Sequence, residues 1–365
     1  MTQRHISIFL PSLDGGGAEK VMLALAERFV ARGVQCDLVI AINKGQLLDQ
    51  IPEGVRMIKL GKKKTLASTF ALANYLRRER PQVLLSTIFS ANITAMLAAM
   101  MAPRTIRVAL READQTHMVI GGGKRIKTWA NYIFGYFLYH RAYAVIAVSD
   151  SVKSSLIRTR LAHQSAIHVI RNPASPATVV NESRVHASSL PLVLACGRLE
   201  AQKDYTTLLR AFTKVRKHCD AKLAILGEGS LLETLQRQAR DFGIDERVSF
   251  VGFSSDPQQW MYRSTVFVHS SRHEGMSNVL MEALTCGCAI VATDCPGGTR
   301  EILADGKYGT LVPVGDDNAM ATAIIDVLQG KMRFPNASEH LRKFDIEVVT
   351  DTYLKLLFPQ DRKGT

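Results

Sequence analysis

Short apolar runs rich in β-branched residues alternate along nearly the whole chain with longer stretches of helical periodicity. Residues 6–10, 36–40, 83–86, 107–110, 144–148 and 166–170 read as buried strands, separated by helical patterns over 18–32, 66–80, 90–101 and 150–158. The rhythm resumes with strands at 192–195, 223–226, 248–251, 265–270, 288–293 and 309–313, and helices over 231–242 and 277–286. Alternation of this kind predicts an α/β protein with parallel sheets covered on both faces. A polar, Pro-containing stretch over 173–189 divides it. The expected organisation is a first domain over 1–172, a linker over 173–190, a second domain over 191–343, and a terminal segment over 344–365 carrying an amphipathic helix.

The densest information lies in residues 265–301. A strand, the loop SRHEGM, a helix closed by Gly287 and a second strand make a βαβ unit of about 30 residues. Ser277 or Asn278 can cap the helix, and Gly287 suits its C′ position. Leu280 and Leu284, four apart, face the sheet, which puts Glu282 on the opposite side. Glu274 stands just beyond the carboxyl end of the strand, where open α/β sheets place their ligands. An acidic helix start plus one solvated glutamate would explain either acid alone. Together they form an E-x7-E pattern, and the whole string resembles the donor site of retaining glycosyltransferases of the GT-B fold, family 4. It is most similar to bacterial members that build lipid-linked glycans and surface polysaccharides. The resemblance implies that Glu274 holds sugar hydroxyls and Glu282 the nucleotide ribose. Main-chain N–H groups of Gly275, Met276 and Ser277 would then face the sugar or diphosphate at the helix N-terminus.

A second motif opens the second domain. Gly197-Arg198 follows a strand, and Lys203 lies five residues after the arginine, ahead of a helix. Arg offers a fork of donors and Lys a point charge, a combination suited to a diphosphate. The segment is similar to the family's G-R-x4-K pattern. The resemblance also makes Gly227 and Phe253 neighbours of the nucleotide base. In the first domain, Asp14-Gly15-Gly16-Gly17-Ala18-Glu19 is a Gly-rich turn between strand and helix where a backbone could approach a phosphate. It matches neither the dinucleotide fingerprint nor the P-loop. The resemblance places Gly16 and Gly17 across a cleft from the donor diphosphate, and has the terminal helix cross back to brace the first domain.

Acceptor chemistry is expected in the first domain. Glu112, Asp114 and His117 follow a strand end and are the titratable groups best placed to meet an acceptor. Relatives carry a contact residue here, often a lone histidine where this chain has Arg-Glu-Ala-Asp. Lys124, Arg125 and Lys127 then precede WANYIFGYFLY. Cations beside amphipathic aromatics are what an interfacial helix presents to anionic lipid, and a core helix packing its rings on the sheet is the alternative. Lys62–Lys64 could likewise meet a phosphate or headgroup, or form a solvated loop.

Charge sharpens this picture. The formal net charge is +13, with 24 Lys+Arg against 10 Asp+Glu in residues 1–172 and 22 against 23 in the remainder. A basic first half points to an anionic partner: nucleic acid, a membrane surface or a diphosphate. No nucleic-acid motif accompanies the charge, so nucleic acid is not an expected partner. No signal peptide or spanning segment is expected: the apolar stretch over 91–102 is too short, and 130–148 contains His140 and Arg141. The six cysteines read as reduced thiols, since Cys286-x-Cys288 without a second pair is a poor zinc signal.

The expectation is therefore two Rossmann-like, doubly wound domains with the donor on the second and the acceptor on the first. The resemblance implies a retaining, metal-independent hexosyltransferase, with no cofactor, and no Asp-x-Asp occurs in the sequence. It would move a hexose or N-acetylhexosamine from a nucleotide sugar, UDP-linked with GDP open, to a polyprenyl-diphosphate-linked saccharide. Its place would be cytoplasmic, peripheral on the inner membrane. A sugar-nucleotide epimerase of the same fold and a non-catalytic nucleotide-sugar-binding subunit are the alternatives.

Overall fold

The computed structural model describes residues 3–115, 134–175 and 190–359. The chain forms two compact units, Met1–Pro173 together with Lys343–Thr365, and Ala174–Arg342.

The first unit is a seven-stranded, all-parallel sheet in the order β3-β2-β1-β4-β5-β6-β7. Its strands are β1 His5–Leu10, β2 Gln35–Ile40, β3 Val55–Lys59, β4 Val83–Thr87, β5 Arg107–Glu112, β6 Ala144–Ala147 and β7 Ile167–Val169. The helices are α1 Gly17–Ala31, α2 Thr69–Glu79, α3 Phe89–Met100 and α4 Asp150–Arg158, with residues 134–139 also helical. Central strands are buried on both faces, which is why they read as mostly apolar runs with little alternation. The edge strand β3 has no such run, because the charged and partly exposed Arg56 and Lys59 interrupt it, and the pattern over 55–59 does not announce it. A buried aspartate ties the edge in: Asp37 accepts from Arg56 Nε at 2.9 Å, from Tyr75 and from His5 Nε2 at 3.0 Å.

The terminal helix, Ile346–Leu357, belongs to this unit. Its Val349, Tyr353 and Leu357 enter the same core as Ile6 and Phe29, with the Tyr353 and Phe29 rings edge to face at 6.3 Å. Arg32 adds bonds to Glu347, at 2.6 Å, and to Asp351. Those pairs are exposed and worth little, so the apolar burial holds the helix.

The second unit is a six-stranded parallel sheet in the order β10-β9-β8-β11-β12-β13. It comprises β8 Leu192–Cys196, α5 Tyr205–Val215, β9 Lys222–Leu226, α6 Leu232–Asp241, β10 Val248–Gly252, α7 Pro257–Arg263, β11 Val266–His269, α8 Asn278–Thr285, β12 Ile290–Thr293, α9 Thr299–Leu303, β13 Thr310–Val312 and α10 Asp317–Leu328. Leu208, Phe212 and Ile324 join the strand interiors in one core. In both units the strand order reverses beside the first strand, between β1 and β4 and between β8 and β11. Loops leaving adjacent strands in opposite directions open a crevice there.

Candidate functional site

The loops after β8 and β11, on either side of the reversal in the second unit, interlock. Ser270 Oγ donates to the Lys203 carbonyl at 2.6 Å, and the Arg272 amide to the Gln202 carbonyl at 2.8 Å. Gln202 Nε2 donates to the His273 carbonyl at 2.9 Å, and Arg272 Nε to Asp204 at 3.0 Å. Each loop thus satisfies the other's polar groups, which fixes their side chains before any ligand arrives.

At the centre stands Glu274, 7% exposed. Its Oε1 receives Lys203 Nζ at 2.5 Å and Ser271 Oγ at 2.7 Å, and His269 Nε2 lies 3.3 Å away. Burial, the largest influence, would raise the carboxyl pKa, but the Lys203 ammonium and His269 outweigh it and hold it well below the ordinary value. Burial lowers the His269 pKa and keeps its ring neutral, with Nδ1 enclosed and unbonded among the described residues. The result is an ionised carboxylate, acceptor only, fixed in direction by three neighbours.

The Glu274 backbone is fixed as well. Its amide donates to the Pro296 carbonyl at 2.9 Å, and the Gly298 amide to the Gly275 carbonyl at 2.9 Å. Gly297 has φ 138°, and a Cβ there would overlap the Glu274 carbonyl, so only glycine lets the two loops close. Gly227 works the same way under Gly197, whose carbonyl oxygen a Cβ would strike.

Helix α8 begins directly after this loop. Ser277 occupies the N-cap position, yet its hydroxyl makes no capping bond and is buried without a partner among the described residues. The start of α8 carries the partial positive charge of a helix N-terminus. At the other end Gly287 takes φ 74° and donates to the Leu284 carbonyl at 3.1 Å, the C′ closure its sequence position predicts. Leu280 and Leu284 are buried and Glu282 is half-buried, with Ser175 Oγ 3.4 Å from its Oε1. Arg198 is exposed beside Glu200, and Phe253 is exposed on the loop after β10.

The structure thus brings Arg198, Lys203, Gly227, Glu274, Gly275, Met276 and Ser277 to the loops at the carboxyl ends of β8, β9 and β11. Sequence reasoning missed His269, Ser271 and the Pro296–Gly298 platform. His269 sits inside an apolar strand run, and a polar residue within such a run is the signal that could have found it.

Besides the unannounced strand β3, the first unit differs from expectation at Glu112. Strand β5 extends to Glu112, so this acid ends the strand instead of following it. It is 3% exposed, and its Oε1 accepts Asn92 Nδ2 at 2.8 Å and the Tyr139 hydroxyl. Burial pushes its pKa up to about 7 against the two hydrogen bonds. A carboxylate so enclosed ties β5 to α3 and to the helix at 134–139, which is a reading different from surface contact with an acceptor. Neighbouring Arg111 is also fully buried, donating to Thr87 at 3.0 Å and to Asn172. Gly16 is the N-cap residue of α1 and Gly17 its first residue, and the Glu19 carboxylate folds back over Gly16. His117, Lys124 and Arg125 lie outside the described residues. Of the aromatic stretch that follows them, Phe134 and Phe137 are exposed while Tyr139 is buried. None of the six cysteines forms a disulfide, and burial pushes the Cys288 and Cys36 thiols up to about 12.

Residues 15–177 match the family Glycosyltransferase Family 4, and residues 190–330 match Glycosyl transferases group 1. An N-acetylgalactosaminyltransferase from Campylobacter jejuni, named for an N-acetylgalactosamine-N,N'-diacetylbacillosaminyl-diphospho-undecaprenol substrate, is 27% identical over 89% of this chain and 90% of its own. A lipopolysaccharide core biosynthesis glycosyltransferase from Rhizobium meliloti is 25% identical over 94% and 96%. A protein from Anabaena, solved in complex with UDP-glucose, superposes with a TM-score of 0.82 at 20% identity, over 97% of this chain and 99% of that one.

Proposed function

Because the chain belongs to the family 4 glycosyltransferases, with the GT-B fold, we propose that it transfers a hexose or N-acetylhexosamine from a UDP-sugar to a polyprenyl-diphosphate-linked saccharide, retaining configuration and needing no metal. The observation that carries this reading is Glu274, an ionised carboxylate paired with Lys203 at the strand-order reversal of the second unit. The diphospho-undecaprenol substrate in the name of the Campylobacter relative supports the acceptor, and the Anabaena complex supports UDP.

In this mechanism the bond between the anomeric carbon and the diphosphate oxygen breaks, and its electron pair leaves with the diphosphate. The acceptor hydroxyl oxygen bonds to the same face of the sugar, and its proton passes to the departing phosphate oxygen. Negative charge then grows on the leaving group. Arg198, Lys203 and the N-terminus of α8 are the groups that offset it. Preorganised donors of this kind are typically worth about 10²–10³ in rate each. Glu274 orients sugar hydroxyls and is not a nucleophile. Glu282, on the outer side of α8, takes the ribose, and Phe253 lies near the base.

No described helix is long and apolar enough to cross a membrane. We place the protein at the cytoplasmic face of the inner membrane, held by Lys124, Arg125 and the aromatic stretch after them. The test is an assay containing a chelator, a panel of UDP- and GDP-sugars and a polyprenyl-diphosphate sugar, read as labelled lipid. One UDP-sugar should label the lipid with retention. Turnover of donor without acceptor would replace this reading with the epimerase, and bound donor without turnover would replace it with a binding subunit.

A further inference from the structure

Between β3 and α2 the usual burial of polar and apolar side chains is inverted. A single turn, Leu66–Ser68, leads into α2 at Thr69. Ser68 is fully buried and Thr69 nearly so, while Leu66 is 58% exposed and Phe70 75% exposed. Phe70 has the highest exposure of the large apolar side chains described. The inversion is built, not frayed. Ser68 Oγ donates to the Thr65 carbonyl at 2.5 Å, and Thr69 Oγ1 to the Leu66 carbonyl at 2.7 Å. The buried hydroxyls are thereby satisfied locally, and the same bonds turn Leu66 and Phe70 outward, four residues apart on one face.

The charge around this tip has one sign. Lys62, Lys63 and Lys64 are all exposed immediately before it, and the Lys62 amide is anchored to the Ala41 carbonyl at 2.8 Å. No Asp or Glu occurs between Gly54 and Arg78. Two apolar side chains cover far less than the ~1,200 Å² of a stable protein interface. They match the depth of a headgroup boundary, and a lysine cluster beside them matches anionic headgroups.

We propose that residues 62–70 form a lipid-docking wedge of the first unit. Leu66 and Phe70 enter the acyl–headgroup boundary, and Lys62–Lys64 engage anionic phospholipid. The inference deepens the lipid-acceptor reading and rests on it only in taking a membrane as the partner. It concerns residues separate from Lys124 and Arg125.

The experiment is cosedimentation of the full chain with phosphatidylcholine vesicles, with and without phosphatidylglycerol, beside a transfer assay on a short-chain, water-soluble acceptor. The Leu66→Ser/Phe70→Ser variant should partition onto phosphatidylglycerol vesicles about tenfold less or weaker still. The conservative Phe70→Leu variant should keep most of the binding. Replacing Lys62, Lys63 and Lys64 by Ser should also lower binding at least about tenfold at low salt, an effect absent on pure phosphatidylcholine. Transfer to the soluble acceptor should be unchanged in every variant. Wild-type-like binding of Leu66→Ser/Phe70→Ser, or no vesicle binding by the wild type, overturns the wedge. So does a wild-type dimer, seen by sedimentation, that this variant dissociates, since a second copy would then cover the tip. Absence of transfer in all proteins would sink the transferase reading while leaving the vesicle result intact.

Discussion

Glu274 and Glu112 are both buried at the carboxyl side of a parallel sheet, one in each unit, and their surroundings treat them in opposite ways. Glu274 has an ammonium at 2.5 Å and is held ionised, far below the ordinary value of 4.5. Among the described residues Glu112 accepts hydrogen bonds from the neutral donors Asn92 and Tyr139, and burial lifts it to about 7 although the Arg111 charge opposes the rise. Two neutral hydrogen bonds and the neighbouring Arg111 charge do not offset the desolvation of a carboxylate, whereas an ammonium in direct contact does. The comparison teaches that burial alone does not set the charge of a carboxyl group; the partner decides whether it is held ionised or lifted towards neutrality.

The comparison breaks most visibly if its cation is removed. Lys203→Met should leave Glu274 buried beside the neutral Ser271 and His269, a state like that of Glu112. The second unit should lose roughly 3–5 kcal/mol in urea unfolding, the cost of stranding one partner of a buried pair. Adding Glu274→Gln should recover most of that loss, and an additive double mutant would contradict the pairing.

The pH dependence sharpens the contrast, because the two shifts have opposite signs. Glu112 is raised, so its contribution is complete below pH 4.5 and fades as pH rises through about 7. The first unit should lose about 3 kcal/mol over that window. Glu112→Gln should flatten this slope. Glu274 is depressed, so its contribution is present above pH 4.5 and is lost as pH falls. Glu274→Gln should reduce the acid sensitivity of the second unit. Unfolding curves from pH 3 to 8, followed by a probe in each unit, would read both. Equal slopes would erase the distinction.

A smaller effect is expected at Tyr139. Tyr139→Phe deletes one donor to Glu112 and should cost the first unit about 1–3 kcal/mol, more at pH 8 than at pH 5. Smallest is Ser277→Ala. Its hydroxyl has no partner among the described residues, so stability should change by no more than about 0.5 kcal/mol. If the hydroxyl faces a donor ligand, calorimetry should show weaker nucleotide binding in this variant with stability unchanged.

The sequence reveals the second unit better than the first, for physical reasons. Glu274, Glu282, Arg198 and Lys203 stand in contiguous motifs whose spacing is set by one strand, one loop and one helix, so their placement follows from local geometry. Gly287 and the Leu280–Leu284 face follow in the same way. What was not legible depends on pairing between distant segments. Gly297 shows its purpose only when the Glu274 carbonyl is seen against it. The half-buried edge strand β3 has no apolar run to announce it. Glu112 looked like a loop acid because apolar patterning stops at Leu110, two residues before the hydrogen-bonded ladder does. Its burial comes from Asn92 and Tyr139, 20 and 27 residues away.

The most direct test of the account is the rate of sugar transfer at saturating donor by Glu274→Gln and Glu112→Gln, measured beside the wild type at pH 7. The account predicts a fall of about 10²–10³ for Glu274→Gln. It predicts a rate within a few-fold of wild type for Glu112→Gln, since a neutral amide suits that site. Full activity in Glu274→Gln, with the loss falling on Glu112→Gln, would contradict it.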